Sequence, residues 1–196
     1  MRHIVIAIGA LAGCLAVQPF AAAGPDDCPP VVSSSRQAAL VRAVGLEQPF
    51  ALIDAGNCRA ALAQFVRFAE RGDIAAQNNV GVIYESGLGV HVNLNRAREW
   101  YQKAAEGGSA EAQWHLAAII LKPYSKVSLF DAFQPMPKPG RSGGKARYIE
   151  ALTWAIAAAE NGHPDAPNGV QRLSRVLPAS DVRAARDAAK KWVEAE

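Results

Sequence analysis

Between residues 73 and 108 the apolar residues return at spacings of three and four, the period of a helix with one face turned inward. Ala76, Val80, Gly81 and Tyr84 form one stripe that runs to about Ser86, with Asp73 placed to cap it. Gly87-Leu88-Gly89 turns the chain, and Asn93 is placed to cap a second stripe of Ala97, Trp100, Tyr101, Ala104 and Ala105. Gly107-Gly108 closes that stripe as a helix C-terminus prefers. The spacing predicts two antiparallel helices, brought close by their small residues, with Trp100 and Tyr101 filling the gaps to the neighbouring hairpins.

The pattern repeats along the chain. Ala69-Glu70-Arg71-Gly72 returns 36 residues later as Ala105-Glu106-Gly107-Gly108, and Ala76-Gln77 returns as Ala112-Gln113. A third copy, Ala159-Glu160-Asn161-Gly162, follows after 54 residues, which is the same period with 18 residues inserted. Trp100 and Trp154 share the longer offset, as do Ala97 and Ala151, and Val80-Gly81 falls 36 residues after Val44-Gly45. Four units are expected: a degenerate one over 37–72, then 73–108, then 109–162 with a Pro/Gly-rich insertion at 123–145, then a partial one over 163–176 within a repeat region ending at 179. Pro164 and Pro167 fall where the last unit begins, which a first helical turn tolerates. A single hairpin cannot bury its apolar face, so the units must stack.

Residues 180–196 predict one more helix, with Val182, Ala185, Ala189, Trp192 and Val193 on one face and Arg183, Arg186, Asp187, Lys190 and Lys191 on the other. A polar-backed helix of this kind caps a stack against end-to-end growth. A basic helix lying on a membrane surface is the alternative.

The stretch Ala75-Ala76-Gln77, Val80-Gly81, Tyr84, Gly87-x-Gly89-Val90, Asn93, Ala97, Trp100-Tyr101-x-Lys103-Ala104-Ala105-Glu106-x-Gly108 resembles the Sel-one-like repeat family, relatives of the tetratricopeptide repeats. Gly81 becomes Ala117 and Tyr84 becomes Ile120 in the next copy, so the outer units follow the pattern less closely. The resemblance implies an all-α fold, a right-handed α/α superhelix (a solenoid) of helix-turn-helix repeats, and a chain that binds another protein. In such stacks the first helix of each unit lines a concave groove. The similarity therefore implies partner-binding positions at Arg42 and Leu46, at Asn78, Val82 and Glu85, at Glu111, Trp114, Ala118 and Leu121, and at Asn168, Arg172 and Arg175. Trp114 is either a groove anchor, since aromatic residues dominate binding hot spots, or a core residue.

The insertion places Tyr124, Leu129, Phe130, Phe133 and Met136 among Pro123, Pro135, Pro137 and Pro139. A simple linker would be polar, so Tyr124, Phe130 and Phe133 mark either a partner-binding loop or one that packs on its own solenoid.

The first residues are of another kind. Arg2 and His3 precede an apolar run from Ile4 to Val17, and Ala21-Ala22-Ala23 offers a small-x-small cleavage pattern. Residues 1–23 read as a signal peptide, too short in its apolar run to span a bilayer, followed by an N-terminal segment over 24–36. Leu11-Ala12-Gly13-Cys14 also fits a lipobox, which leaves lipidation at Cys14 open. Loss of Cys14 with the leader leaves Cys28 and Cys58, an even number in an oxidising compartment. A Cys28–Cys58 disulfide is expected, with a pair of buried thiols as the rival. The localisation that follows is periplasmic or secreted.

Composition removes other classes. Half the residues are apolar but only 7% are aromatic, which suits Ala-rich helices better than a β-sandwich. The net charge of +3 comes without a dense basic cluster, against nucleic-acid binding. Ser142-Gly143-Gly144-Lys145 has the spacing of a penicillin-recognising Ser-x-x-Lys, but its two glycines deny the rigid helix start that this chemistry needs. Gly140 to Gly144-Lys145 is one residue short of a phosphate loop, and Ala146 replaces the Ser/Thr that would hold magnesium. His91, His115 and His163 have no partners at metal-ligand spacing and read as surface or loop residues. No cofactor and no catalytic residue is expected. The reading is a periplasmic protein-binding adaptor or regulator. The alternatives are an immunity protein that neutralises a toxic secreted effector and a cell-wall or β-lactam hydrolase.

Overall fold

The computed structural model describes residues 40, 42–122 and 144–193, and these are helical throughout apart from turns. In chain order the helices are α1 (Glu47–Asp54), α2 (Cys58–Glu70), α3 (Ile74–Ser86), α4 (Leu94–Glu106), α5 (Ala110–Leu121), α6 (Gly144–Glu160), α7 (Ala166–Val176) and α8 (Ala179–Ala189), followed by a short 3-10 turn, Lys190–Trp192. The leader, Cys14, Cys28, Tyr124, Phe130, Phe133 and Ser142 lie outside the described residues.

Each helix from α1 to α6 packs on the next, giving the hairpin-on-hairpin stack of an α-solenoid. The repeat is visible atom by atom at the turns that join one unit to the next. Gly72, Gly108 and Gly162 all take left-handed backbone, at φ 93°, 91° and 88°. The residue after each donates back into the helix it leaves: Asp73 N to Phe68 O at 3.2 Å, Ser109 N to Ala104 O at 3.1 Å, and His163 N to Ala158 O at 2.8 Å. This is the C-terminal motif that glycine favours, since left-handed backbone costs it little. The next helix is then capped by a side chain, Asp73 accepting from Ala76 N at 2.7 Å and Ser109 from Ala112 N at 3.2 Å. Asn93 caps α4 in the same way, accepting from Arg96 N at 3.0 Å. Four residues after each of these two caps, the repeated glutamine locks neighbouring units together. Gln77 Nε2 donates to Ala69 O at 3.0 Å, and Gln113 Nε2 to Ala105 O at 3.1 Å.

The two helices of a unit have different surroundings. α2 and α4 bury one side, with Ala61, Leu62, Phe65 and Ala69 inward on α2 and Ala97, Tyr101, Ala104 and Ala105 inward on α4. α3 and α5 are enclosed on nearly every side, Asn78 to Ile83 forming an unbroken buried run. The crossing of α3 and α4 is set by Gly81, where an added Cβ would stand 2.6 Å from two carbons of the Tyr101 ring. In the next unit both positions of this crossing are small. Ala117 stands at the Gly81 position and Ala155 at the Tyr101 position, and both are buried.

The stack is closed at its C-terminal end. α7 starts with a proline in its first turn and, like α8, packs on α6. Beyond α8 the chain reaches back to the third unit, where Trp192 O accepts from Gln113 Nε2 at 3.2 Å and from Asn161 Nδ2 at 2.9 Å. The Trp192 ring lies on Trp154 with centroids 5.1 Å apart. The helix expected over 180–196 is therefore an α-helix from Ala179 to Ala189 with a tighter turn that seats its tryptophan.

Candidate functional site

The first helices of the units, α3 and α5, carry most of the groove positions implied by the resemblance, and packing sorts them. Asn78, Val82, Trp114 and Leu121 are buried at 0–3% exposure, as is Leu46. This corrects their placement on an open groove wall, because a helix enclosed by its neighbours has no free face for them. Trp114 is thus a core residue, its ring tilted against His163 at 5.3 Å. Arg42 lies before α1, exposed, 3.4 Å from Asp54 and with its guanidinium 4.5 Å from the Phe50 ring centre. Asn168 and Arg175 are exposed on α7, while Arg172 and Ala118 are half-buried. These residues do not converge on one place. Glu85 and Glu111 do.

Glu85 lies at the end of α3 and is reached by three side chains from two helices. Tyr101 Oη, on α4, donates to its Oε2 at 2.8 Å, and Lys122 Nζ, at the end of α5, pairs with its Oε1 at 3.0 Å. His115 Nδ1, on α5, stands 3.9 Å from Oε2. The imidazole lies nearly parallel to the Tyr101 ring, centroids 5.0 Å apart and planes 6° apart. Its other nitrogen, Nε2, faces Glu111 Oε1 at 3.5 Å, one helical turn away on the same helix. The second Glu111 oxygen faces His163 Nε2 at 3.3 Å. His163 Nδ1 accepts the backbone N–H of Asp165 at 3.2 Å, so in its neutral form the ring carries its proton on Nε2, towards Glu111.

The cluster joins the second, third and fourth units, and its electrostatics follow from its geometry. The pull of the His115 and then the His163 ring nitrogens outweighs partial burial and holds the Glu111 carboxyl at about 2, well below its usual range. Burial first, and the Glu85 carboxylate second, push the Tyr101 hydroxyl well above its usual range, so it remains a donor. The sequence pattern placed His115 and His163 at the surface or in loops. His163 is instead buried at 7% exposure and His115 is half-buried, while His91 is exposed. The Glu111-x-x-x-His115 pair was visible as a one-turn spacing. The approach of Glu85, Tyr101 and His163 depends on how the units stack, and local sequence does not encode it.

Among the described residues no group of three or more His, Cys, Asp or Glu side chains is arranged to hold a metal ion, and no helix is long and apolar enough to cross a membrane. The cluster offers two partly exposed carboxylates held in fixed orientation.

Comparison with known proteins agrees with this architecture. Residues 74–109 and 140–163 match the Sel1 repeat model. Over those stretches the chain carries Sel1-like repeats. A stretch of 75 residues is 32% identical to a putative sel1-like repeat-containing protein, L21, of Acanthamoeba polyphaga mimivirus, covering 38% of this chain and 14% of the viral protein. Among solved structures, c5321, a protective antigen present in uropathogenic Escherichia coli strains and displaying an SLR fold, aligns with a TM-score of 0.59 at 20% identity. That alignment covers 81% of this chain and 30% of c5321, so the Sel1-like chain spans about a third of its length. A Sel1 repeat protein from Oxalobacter formigenes aligns at a TM-score of 0.49 and 24% identity, over 80% of this chain and 59% of that one. Sel1 repeats generally mediate protein–protein interaction, and their fold is typically a non-catalytic scaffold.

Proposed function

We propose that this Sel1-like protein is an exported adaptor or regulator that binds one partner protein in the periplasm. The observation that carries the reading is the cluster where three units meet, with two carboxylates fixed by Tyr101, His115, His163 and Lys122 at the edge of otherwise closed helices. A stacked-hairpin core fixes such groups rigidly, and preorganised polar groups beside a packed core are what a protein-binding surface needs. The apolar run, the Ala21-Ala22-Ala23 pattern and the even cysteine count support export and a Cys28–Cys58 disulfide. The aromatics Tyr124, Phe130 and Phe133 supply a second contact region in this reading.

The test is affinity capture with the tagged mature chain from an envelope extract, read by mass spectrometry. Variants in which Glu85 and Glu111 become Gln, or in which residues 124–140 become a Gly/Ser linker, run beside it. One specific protein, lost in either variant, is the expected result. Retention of nothing specific, together with turnover of peptidoglycan or a β-lactam by the purified chain, overturns it.

A further inference from the structure

His115 is where the second and third units meet through a titratable ring. It lies on α5 with only 12% of its side chain exposed, and a carboxylate faces each of its nitrogens. Nδ1 stands 3.9 Å from Glu85 Oε2, on α3 of the second unit, and Nε2 stands 3.5 Å from Glu111 Oε1, one turn back along α5. Tyr101 lies nearly parallel to the imidazole at 5.0 Å, and its hydroxyl donates to the same Glu85 oxygen that faces Nδ1. The titratable and charged groups set on the ring are thus Glu85 from α3, Tyr101 from α4 and Glu111 from α5 itself. Lys122 and His163 stand one step further out, on the second oxygens of Glu85 and Glu111, and His163 is what the turn after α6 brings to the cluster.

A neutral imidazole carries one N–H and one bare lone pair. Between two carboxylates it can donate to one, and its lone pair then faces the other. An imidazolium has two N–H groups and serves both, through charge-assisted bonds roughly twice as strong as neutral ones. Both contacts of His115 exceed the length of a formed hydrogen bond from nitrogen to oxygen, about 3.2 Å at most. His163 is arranged in the opposite sense. Its Nδ1 accepts the Asp165 backbone N–H at 3.2 Å and its Nε2 faces Glu111 Oε2 at 3.3 Å, so the neutral ring suits both neighbours. A proton on Nδ1 would set two donors against each other. Of the two imidazoles on Glu111, one gains a contact on protonation and the other loses one.

We propose that His115 is a proton-operated latch between the second and third units: its protonation bonds Glu85 and Glu111 through one imidazolium, and its deprotonation releases one of the two. An imidazole changes charge between about pH 5 and 8, so the latch closes as the surroundings turn mildly acid and opens as they return to neutral. Its contribution to stability is present on the acid side of that range and is lost as pH rises through it. The latch needs no partner, so capture of a partner from an envelope extract succeeds or fails independently of it.

The experiment is urea unfolding of the purified chain and its variants at about pH 7.5 and about pH 5.5, either side of the imidazole range. Relative to His115→Gln, the unfolding constant of the parent is expected to fall about fivefold on acidification, the gain of one charge-assisted bond over a neutral one. Glu85→Gln keeps the imidazole, removes one of its two acids and loses most of this response. His163→Gln keeps it, as does His91→Gln, which changes an exposed ring. If His115→Gln does not fold, Glu85→Gln against the parent carries the same comparison. Imidazole nitrogen NMR at the acid pH adds a readout that a merely structural histidine does not move. It should show two His115 N–H protons protected from exchange, with the Nδ1 proton losing its protection in Glu85→Gln. An equal pH response in parent and His115→Gln, a response that survives Glu85→Gln, or one that disappears in His163→Gln overturns the inference.

Discussion

Gly81→Ala adds one methyl group where α3 crosses α4. The new Cβ would stand 2.6 Å from Tyr101 Cδ1 and Cε1 and 3.0 Å from Cγ. The ring has little room to move away. It is fully buried, its hydroxyl is tied to Glu85 at 2.8 Å, and its face lies on His115. Overpacking a core costs about 1–3 kcal/mol, and with the ring held on all these sides the cost lies in the upper part of that range, about 2–3 kcal/mol. Replacing a glycine inside a helix with alanine returns about 0.8–1 kcal/mol through backbone entropy. The clash wins, for a net loss of about 1–2 kcal/mol, which in a chain of this length lowers Tm by roughly 2–8 °C. Urea and thermal unfolding followed by circular dichroism at 222 nm measure it. Tyr101→Leu in the same background removes the ring, so the two changes together should cost about 1 kcal/mol less than their sum. A Gly81→Ala variant as stable as the parent, or additive with Tyr101→Leu, refutes the reasoning.

Three further outcomes follow from the same structure. Glu111 titrates at about 2 when folded, against its usual 4.5, so its stabilisation is present above pH 4.5 and is lost as pH falls through 2. Its side chain is 38% exposed, so solvent screening cuts the contribution to about 1 kcal/mol. The fall in Tm between pH 5 and 2 should be smaller in Glu111→Gln than in the parent. Asp73→Ala and Ser109→Ala each remove an N-cap bond and should cost about 1 kcal/mol in urea unfolding, whereas loss of the exposed Glu99 side chain costs nothing measurable. A Cys28–Cys58 disulfide makes the mature chain two hydrogens lighter by mass spectrometry without reductant, and its loop of about 30 residues contributes roughly 3–4 kcal/mol that reductant removes. An unchanged Tm in reductant speaks against the disulfide.

Much of the fold was legible because it is written in local chemistry. Glycines at 72, 108 and 162, each following the recurring Ala-Glu pair, fix the turns, and Asp73, Asn93 and Ser109 fix the starts of the helices that follow. The 36-residue period then dictates stacking. The groove was less legible. Sequence spacing assigns Asn78, Val82, Trp114 and Leu121 to one face of a helix, but whether that face meets water depends on how closely the neighbouring units approach. Gly81 and the small residues of α5 and α6 bring those units close enough to bury it. The polar cluster was half visible. Glu85 and Glu111 were among the groove positions, and His115 lies one turn from Glu111, but Tyr101 and His163 come from helix and turn positions that only the stacked units bring together.

Hydrogen exchange on the mature chain, alone and with a partner captured from the envelope, tests the central claim most directly. The account predicts slowed exchange in peptides from α3 and α5, around Asn78 to Ser86 and Glu111 to Lys122, with α2 and the outer side of α4 unchanged. Slowed exchange confined to α2, α4 or α8, with α3 and α5 untouched, would contradict it.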